Sequence, residues 1–439
     1  MVRYRPRLRH ARVERSVEET RRGLRVKPPK TKRGCRNIAL PPETVATLRD
    51  HRKKQIELRL VLGQGAQPVL VFSTVEGGLL SPDNLGRDWG RVCWSPKRTM
   101  GHPNKRRAFA FSVALLTICL ALGVAFSAVA VEQGSLTLES KIPLGNVRGR
   151  IDHLTIDRAS QRLFVAELGN NSLGVVDLKR RKVLHRIARL NEPQGVAYVS
   201  AVGSIYVANG GDGSVRIFNG NNFSPLARVD LRADADNLRV DEVNNLVFAG
   251  FGSGGIAIID ARSRVKVGEI SLKGHPEGFE LEPSGKRIFV NVPDAREIAV
   301  LDRASNAQIA SWKIPEATGN FPMAMRQRRP ELLIVFRTPP RLAVVNTQSG
   351  SVTASIATCG DPDDVFVDDG RDRAYVSCGA GFIDVFQLGD SSLSRLAHMP
   401  TAAGARTAIY DSRLDRLFLA VKATSGTAPA IWVYKSEQR

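Results

Sequence analysis

QRLFVAEL, at residues 161–168, is the first of seven copies of one pattern that fill the C-terminal part of this chain. The other copies are GSIYVANG (203–210), NLVFAGFG (245–252), KRIFVNVP (286–293), ELLIVFRT (331–338), DRAYVSCG (372–379) and DRLFLAVK (415–422). Their central residues are Phe164, Tyr206, Phe248, Phe289, Ile334, Tyr375 and Phe418, in steps of 41 to 45 residues. A nearly fixed period of this size is typical of a repeat architecture.

Each repeat contains four short segments that look like strands. In the first repeat these are IDHLTID (151–157), RLFVAEL (162–168), LGVVDL (173–178) and VLHRIARL (183–190). Runs of β-branched and aromatic residues between Gly, Asn, Asp and Pro turns predict strands. No segment after residue 135 has a sustained helical period. The pattern therefore predicts an all-β fold, a seven-bladed β-propeller over residues 131–439.

The last repeat is one strand short. It offers TAIYD (407–411), RLFLAV (416–421) and AIWVYK (430–435), whereas LTLESKIPL (136–144) stands alone before the first repeat and resembles the fourth strands elsewhere. An open ring would leave an unpaired sheet edge. We therefore expect residues 136–144 to complete the seventh blade.

The strings YVAN (206–209), FVNV (289–292) and YVSC (375–378) lead into turns and then into apolar strands. In this they resemble the YVTN-type, YncE-like family of bacterial exported β-propellers, over about residues 134–437. The resemblance implies a propeller used as a binding platform, as part of an electron-transfer enzyme or as a lactonase-like enzyme. Single-stranded DNA binding is a third possibility, and only the family resemblance implies it.

Residues 100–130 have the layout of a secretory signal peptide. Lys105, Arg106 and Arg107 precede 24 uncharged residues (108–131), and Ala128 and Ala130 form an A-x-A cleavage pattern. We expect the functional product to begin at Met100, to be cut after Ala130 and to be periplasmic or secreted, touching the membrane only transiently. The alternative is an uncleaved membrane anchor, since the uncharged run is long enough to span a bilayer.

The upstream part resembles a piece of an α/β tyrosine-recombinase (phage-integrase) catalytic domain. The resemblance lies in residues 13–55 and 71–92, with PPKTKRG (28–34) as a β-hairpin that places Lys30 as the catalytic lysine. The Arg-x-x-Glu helix, the His-x-x-Arg box and the tyrosine nucleophile of that family have no counterpart here. We predict that residues 1–95 are a truncated fragment without recombinase activity, either a remnant read in frame or the result of a start codon placed too early.

The net charge of +21 is concentrated outside the propeller. Residues 1–110 hold 26 Lys and Arg against 9 Asp and Glu, and residues 111–439 hold 38 against 34. A strongly basic domain would indicate a nucleic-acid partner, but the propeller is nearly balanced. We therefore expect a monomer that binds a small molecule or a protein rather than nucleic acid.

Two cysteines, Cys359 and Cys378, lie in the propeller, in loops on the same face. An oxidising compartment would allow a disulfide, and two separate thiols are the alternative. No C-x-x-C-H motif is present, so covalent haem attachment is not indicated.

One column of polar residues keeps the same register as the strands. Asp152, Gln194, Asp236, Glu277, Pro322, Asp363 and Arg406 lie in the loops that lead into the innermost strands. Flanking positions add His153, Asn237, His275, Asn320 and Asp364, and the loops between second and third strands add Asn171, Asn209 and Arg337. These side chains should meet at one mouth of the central channel and face water.

The column has two interpretations. Asp and Asn at strand starts cap turns through their own backbone, or the side chains form a ligand site at a channel mouth. Converging carboxylates at Asp152, Asp236, Glu277 and Asp363 would suit a divalent cation, although the arginines argue against a pure cation cage. No cofactor is otherwise indicated. A lactonase-like hydrolase, with Glu277 or Asp236 as base, is the alternative to a binding module.

Overall fold

The computed structural model describes residues 136–437, apart from 253, 284, 315, 316, 391 and 425. It also describes residues 2–4, 10–13, 16–20, 23–27 and 36–39, and residues 52 and 56. The chain divides into two compact units, Met1–Leu122 and Gly123–Arg439. The predicted signal peptide (100–130) lies outside the described residues.

The described part of the first unit consists of short antiparallel strands. They are β1 (Val2–Tyr4), β2 (His10–Val13), β3 (Ser16–Thr20), β4 (Gly23–Lys27) and β5 (Arg36–Ala39). β1, β2 and β5 form one sheet in that order, and β3 pairs with β4. Lys30 and the rest of PPKTKRG lie outside the described residues. The strands on either side of that segment pair with other strands, β4 with β3 and β5 with β2.

The second unit, within residues 136–437, contains seven four-stranded antiparallel sheets. A single strand, β6 (Leu136–Pro143), comes first. Blade 1 is β7 (Leu154–Asp157), β8 (Arg162–Glu167), β9 (Ser172–Asp177) and β10 (Lys182–Ile187). Blade 2 is β11 (Pro193–Val199), β12 (Ser204–Asn209), β13 (Ser214–Asn219) and β14 (Pro225–Asp230). Blade 3 is β15 (Ala235–Asp241), β16 (Leu246–Phe251), β17 (Gly255–Asp260) and β18 (Val265–Ser271).

The remaining blades follow the same order, from the inner strand to the outer one. Blade 4 is β19 (Phe279–Leu281), β20 (Arg287–Val292), β21 (Glu297–Asp302) and β22 (Ala307–Trp312). Blade 5 is β23 (Thr318–Met325), β24 (Glu331–Thr338), β25 (Pro340–Asn346) and β26 (Val352–Ala357). Blade 6 is β27 (Pro362–Asp368), β28 (Arg373–Cys378), β29 (Phe382–Leu388) and β30 (Leu393–Pro400). Blade 7 is β31 (Ala408–Asp411), β32 (Arg416–Val421), β33 (Ala430–Ser436) and β6, and two 3-10 turns cover Leu168–Asn170 and Ser200–Val202.

The apolar core lies between the blades. Among the described residues, seven hydrophobic clusters each combine side chains of two neighbouring blades, the last joining blade 7 to blade 1. Tyr206 of blade 2, for example, packs in one cluster with Val247 of blade 3, and its hydroxyl donates to the Ala261 carbonyl oxygen at 3.0 Å. The central residues of all seven repeats are buried, because each contributes the face that one blade presents to the next.

The ring is closed by β6, which pairs with β33 in antiparallel register from Pro143 opposite Ala430 to Leu136 opposite Ser436. The predicted fold and its closing strand are thus confirmed. Two predicted boundaries of the first blade differ by three residues, and the others by no more than one. The first inner strand begins at Leu154 and not at residue 151, and the fourth strand ends at Ile187 and not at residue 190.

Within the part of the chain that the structure describes, no helix combines the length and the apolar character needed to cross a membrane.

Candidate functional site

β-bulges place the polar column at the channel. The strand register shifts between Pro193 and Val196, Ala235 and Leu238, Asn320 and Met323, and Pro362 and Asp364. Gln194, Asp236, Pro322 and Asp363 of the column lie at these shifts. A bulge leaves a residue outside the ladder and re-aims its side chain, and three of these residues, Asp236, Pro322 and Asp363, line a cavity at the channel.

A cavity of about 290 Å³ runs along the inner strands. At the column end it is lined by Arg150, His153, Asp236, Asn237, Glu277, Asp363 and Asp364. Its walls include Met323, Met325 and Phe366, and farther along it Gln327, Asp369 and Ser412 from loops at the other end of the strands. The cavity is therefore part of the central channel, with a polar mouth and partly apolar walls.

A chain of alternating acids and histidines lies at the mouth. His153 Nδ1 is 3.8 Å from Asp364 Oδ1, and His153 Nε2 is 3.9 Å from Asp236 Oδ1. The other oxygen of Asp236 is 3.8 Å from His275 Nε2, and His275 Nδ1 lies 2.5 Å from the Gly252 carbonyl oxygen. These groups come from blades 6, 1 and 3 and the loop before blade 4, so the chain connects loops that are far apart in sequence.

The arrangement favours cationic histidines around one anionic carboxylate. The neighbouring Asp236 carboxylate raises the pKa of His275 to about 9. Burial alone would lower the pKa of His153, but the Asp152 and Asp364 carboxylates raise it overall. Burial opposes ionisation of Asp236, yet the two histidines hold its pKa below the usual range. At neutral pH His275 is therefore a cation, and Asp236 is an anion between two histidines whose pKa values are raised.

Two other carboxyls at the mouth resist ionisation. Burial, together with the Asp236 charge, raises the pKa of Glu277 to about 8. Burial also raises the pKa of Asp364 to about 7, although one of its oxygens accepts a hydrogen bond from the Ala408 backbone N–H at 2.8 Å. At neutral pH Glu277 is mostly protonated and is a hydrogen-bond donor, so the acids of the mouth do not behave alike.

Arginines meet the acids of blade 6. Arg406 Nε lies 2.8 Å from Asp363 Oδ2 and its Nη1 3.1 Å from Asp361 Oδ2. Arg337 also pairs with Asp363, donates to the Pro362 carbonyl oxygen at 3.1 Å and stacks 3.7 Å from the centre of the Phe321 ring. Both oxygens of Asp363 are thus occupied by guanidinium groups.

Arg150 pairs with a buried acid of the loop before blade 1 in the same way. Its Nη2 lies 2.8 Å from Asp152 Oδ2, and the Asp152 side chain is only 1% exposed while that of Arg150 is 44% exposed. Burial raises the pKa of Asp152. One guanidinium therefore shields a buried acid on one side and lines the cavity on the other.

The structure brings together only some of the expected site residues. His153, Asp236, Asn237, Glu277 and Asp363 line the cavity, and Asp152, His275, Arg337 and Arg406 contact this group. Gln194 instead donates to Asp234 Oδ1 at 2.7 Å. Asn320 is buried and donates to Asn291 Oδ1 and to the Glu297 carbonyl oxygen, both at 3.0 Å, so its contacts are those of the scaffold.

The two asparagines expected from the second-to-third-strand loops are scaffold residues too. Asn209 is buried and donates to the carbonyl oxygens of Val207 and Ser214 at 3.0 and 3.2 Å. Asn171 accepts a hydrogen bond from the Glu192 backbone N–H at 2.8 Å. Both side chains satisfy backbone groups of the connecting loops.

The expectation that these acids face open water is wrong for Asp152 and Asp236, which are buried. Several Asp side chains cap turns at the opposite ends of the strands. There Asp157, for instance, accepts a hydrogen bond from the Ser160 N–H at 3.2 Å and Asp302 one from the Ser305 N–H at 2.7 Å. At the mouth the acids are met by arginine and histidine side chains of other loops instead.

A divalent cation does not fit this donor set. Guanidinium groups occupy Asp152 and Asp363, and histidines with raised pKa values flank Asp236. Within the described ranges, no three His, Cys, Asp or Glu residues are grouped so that they could hold a metal ion. The carboxylates are neutralised by the protein's own cations, which removes the repulsion that a metal would relieve.

Sequence reasoning missed Arg150, Asp234, Asp361, Arg239 and Glu280. Arg239 and Glu280 line the cavity deeper than the mouth. Their signal was present in the sequence, because each lies in an inner strand directly opposite a central residue of the repeat. Reading the inner strands in the register of the central residues would have found them.

The two propeller cysteines form a disulfide, Cys359–Cys378, with Cα atoms 5.9 Å apart. It joins the loop before β27 to the end of β28. The same loop carries Asp361, whose carbonyl oxygen accepts a hydrogen bond from the Gly379 N–H at 2.8 Å. The disulfide therefore holds the segment that presents Asp361 and Asp363 to the two arginines.

No protein-family model matches this sequence, and no curated protein does. Solved structures do match the fold. A chain in the crystal structure of the mitotic checkpoint complex has a TM-score of 0.61 at 14% identity, covering 76% of this chain and 99% of that one. The RRP9 WD40 repeats have a TM-score of 0.59 at 10% identity, covering 69% and 98%. Hydrazine synthase of Kuenenia stuttgartiensis has a TM-score of 0.51 at 15% identity, covering 65% and 97%.

At these identities the similarity shows the fold alone, a WD40-like seven-bladed β-propeller. This fold is a common scaffold for binding. The YncE-like family and the recombinase-like segment stay predictions.

Proposed function

We propose that this protein is an exported binding module that holds a small polar ligand in the mouth of its propeller channel. One observation carries the proposal. The cavity behind the mouth brings buried groups of both charges together, and Asp236 Oδ1, although buried, has no hydrogen-bond partner among the described residues. A buried acceptor without a partner costs free energy that a bound donor would recover.

The apolar core that holds the ring does not include these charges. The apolar clusters between the blades hold the ring, and charges removed from water cost more than apolar residues of similar volume. Histidines and carboxyls with shifted pKa values in a concave site are typical of functional sites. A binding role accounts for their collection at one mouth.

A hydrolase of the lactonase kind is the second candidate. The observation that favours it is the separation of two neighbouring carboxyls, since the pKa of Glu277 is raised to about 8 while that of Asp236 is lowered. Such a pair supplies an acid and a base. Asp236 would be the base and Glu277 the proton donor, without the metal that the acid-lined mouth suggested. Single-stranded DNA is less suited, because none of the exposed large hydrophobic side chains in residues 136–437 is aromatic.

Calorimetric titration of the full-length protein with a panel of small polar metabolites and lactones tests the proposal. We expect at least one compound to bind without turnover, and Asp236→Ala to weaken that binding at least tenfold. Asp302→Ala is the matched control, an acid that caps a turn at the opposite ends of the strands. It should lower the melting temperature slightly, because a turn loses its cap, and leave affinity unchanged.

Turnover of a lactone that depends on Asp236 would replace the binding module with the hydrolase. Capture of a protein through the mouth face would replace the small ligand with a protein partner. The proposed functional unit is a monomer, which sedimentation of the ligand-bound protein would check.

The exported location is tested separately. We propose that residues 100–130 direct secretion and are removed after Ala130, on the strength of the basic start, the uncharged run and the A-x-A pattern. N-terminal sequencing of the protein recovered outside the cytoplasm should begin at Val131. A mature protein that still carries residues 1–95 would contradict this.

A further inference from the structure

One charged pair interrupts an uncharged layer of the channel. The strand register places one inner-strand residue opposite each central residue of the repeat. In chain order these are Thr155, Ala197, Arg239, Glu280, Met323, Phe366 and Ile409. Only Arg239 and Glu280 are charged, and they belong to the neighbouring blades 3 and 4. The repeat itself therefore does not require charges at this level.

The pair is in contact but loosely bonded. Arg239 Nε lies 3.4 Å from Glu280 Oε1, and its Nη1 donates to the Leu238 carbonyl oxygen at 3.0 Å. The two side chains are 31% and 25% exposed, and both line the cavity. A close guanidinium–carboxylate pair has two parallel bonds near 2.8 Å. Most of the hydrogen-bonding capacity of both groups is thus left for something else in the cavity.

Two charged side chains fill this space at a higher free energy than apolar side chains would. Burial raises the pKa of the Glu280 carboxyl, with Arg239 opposing that effect. An ion pair removed from water contributes little to stability, and two apolar side chains of similar volume often stabilise at least as well. The other members of the layer show that the fold accepts such residues here.

We propose that Arg239 and Glu280 recognise a small zwitterion of the amino-acid type, with its carboxylate on Arg239 and its ammonium group on Glu280. This rests on the proposed function and names the ligand class for the same cavity. A planar guanidinium matches a carboxylate with two donors, and an ammonium group offers the donors that a carboxylate accepts. The ligand inserts into the loose contact between the two side chains.

The cavity supports this class of ligand. Its volume of about 290 Å³ equals roughly ten water molecules in the liquid, which suits a single amino acid. Met323, Met325 and Phe366 offer an apolar wall for a side chain. The mouth carries both arginines and acids, so it does not select an ion of one sign.

The test uses the full-length protein and titration calorimetry with the protein L-amino acids. For each one that binds, the matched probes are the acid that lacks its amino group and the amine that lacks its carboxylate. L-leucine, for example, is compared with 4-methylpentanoate and 3-methylbutylamine. We expect an amino acid to bind and both of its analogues to bind at least tenfold more weakly.

The decisive variant is the double substitution Arg239→Met with Glu280→Met. It removes both charges at once, so no unpaired charge is left in the channel. We expect its melting temperature to be equal to or above that of the wild type, with affinity for the amino acid reduced at least tenfold. Thr155→Val, in the same layer but outside the cavity lining, is the control and should bind normally.

The experiment distinguishes failure of the ligand class from failure of the proposed function. If other polar compounds bind in an Asp236-dependent manner while amino acids do not, the ligand class is wrong and the proposed function stands. If the double variant keeps full affinity, or if it loses stability strongly, the pair is structural and the inference is overturned. If nothing in either panel binds, both proposals fail.

Discussion

Ile142, in the first strand of the ring, lies directly opposite Ile431 in the last strand, and both side chains are buried. This pairing joins the two ends of the propeller inside one sheet. It also places Ile142 in the cluster between blade 7 and blade 1, together with Leu163 and Phe418. The closing strand therefore serves both the sheet and the core.

Ile142→Asp should destabilise the protein by roughly 3–5 kcal/mol, because it places a charge in an apolar cluster and loosens the strand that covers β33. Leu138→Asp, in the same strand but 40% exposed, is the matched control and should change stability little. Denaturant unfolding and size-exclusion chromatography measure the two effects. We expect Ile142→Asp to aggregate as well, since the edge of β33 becomes available. Equal behaviour of the two variants would contradict closure through β6.

The disulfide gives a second prediction. Cys359 and Cys378 are 19 residues apart and both are buried. Replacing both with Ala should lower the free energy of unfolding by about 3 kcal/mol, the size expected for a crosslink that closes a loop of this length. A reducing agent should lower the melting temperature of the wild type and leave that of the double variant unchanged. A variant as stable as the wild type would show that the crosslink contributes nothing.

Stability should fall with rising pH because of Glu277. Burial raises the pKa of this carboxyl from 4.5 to about 8, so the folded protein keeps a proton that the unfolded chain has lost. The contribution of this group is complete below about pH 4.5 and is lost as the pH rises through about 8. The wild type should therefore lose more stability than Glu277→Gln between about pH 5 and pH 9, by up to about 4 kcal/mol.

His275 titrates in the same direction. Its pKa is raised to about 9, so its contribution is complete below about pH 6.5 and declines as the pH passes 9. His275 is present in both proteins, but the Glu277 charge also raises its pKa, so the difference between the two profiles reports the Glu277 carboxyl together with its effect on His275. Urea unfolding at several pH values is the measurement, and parallel profiles for wild type and Glu277→Gln would show that the carboxyl ionises normally.

Arg337→Lys should lower the stability of the protein, although the substitution keeps the positive charge. The guanidinium stacks on Phe321 and donates to the Pro362 carbonyl oxygen while it pairs with Asp363. An ammonium group lacks the planar fork and the stacking surface. We expect a loss of about 1–2 kcal/mol in stability, whereas Arg228→Lys, on an exposed pair with Asp212, should cost almost nothing. Thermal unfolding of the two variants measures this difference, and equal melting temperatures would contradict the prediction.

The fold was predictable because its signal is repeated. The seven central residues keep one register, and the shortage of a strand in the last repeat points to residues 136–144 as the closing strand. Boundaries were less predictable where bulges and loops interrupt the ladder. Asp152 and His153 look like the start of a strand, but the structure uses their side chains at the channel mouth.

The site was only partly predictable, for a physical reason. The polar column shows which loops meet, but not which cation reaches which acid. Asp363 pairs with Arg337 and Arg406, which lie in blades 5 and 7, and such partners are set by the curvature of the ring. Asn320 is of a residue type that often binds ligands, but its amide group donates its hydrogen bonds to Asn291 and to a backbone carbonyl oxygen. Which donors and acceptors already have a partner can be seen only in the three-dimensional structure.

The pairing of β6 with β33 also sets the order in which the molecule is completed. Leu136 and Ser436 are partners in one sheet, so β6 leaves the ribosome long before its neighbour exists. An arc of six blades without the seventh would expose an apolar blade face at each end, and the early strand β6 would have no partner. Any secretion route that threads the unfolded chain would therefore release a propeller whose final blade can assemble only at its destination.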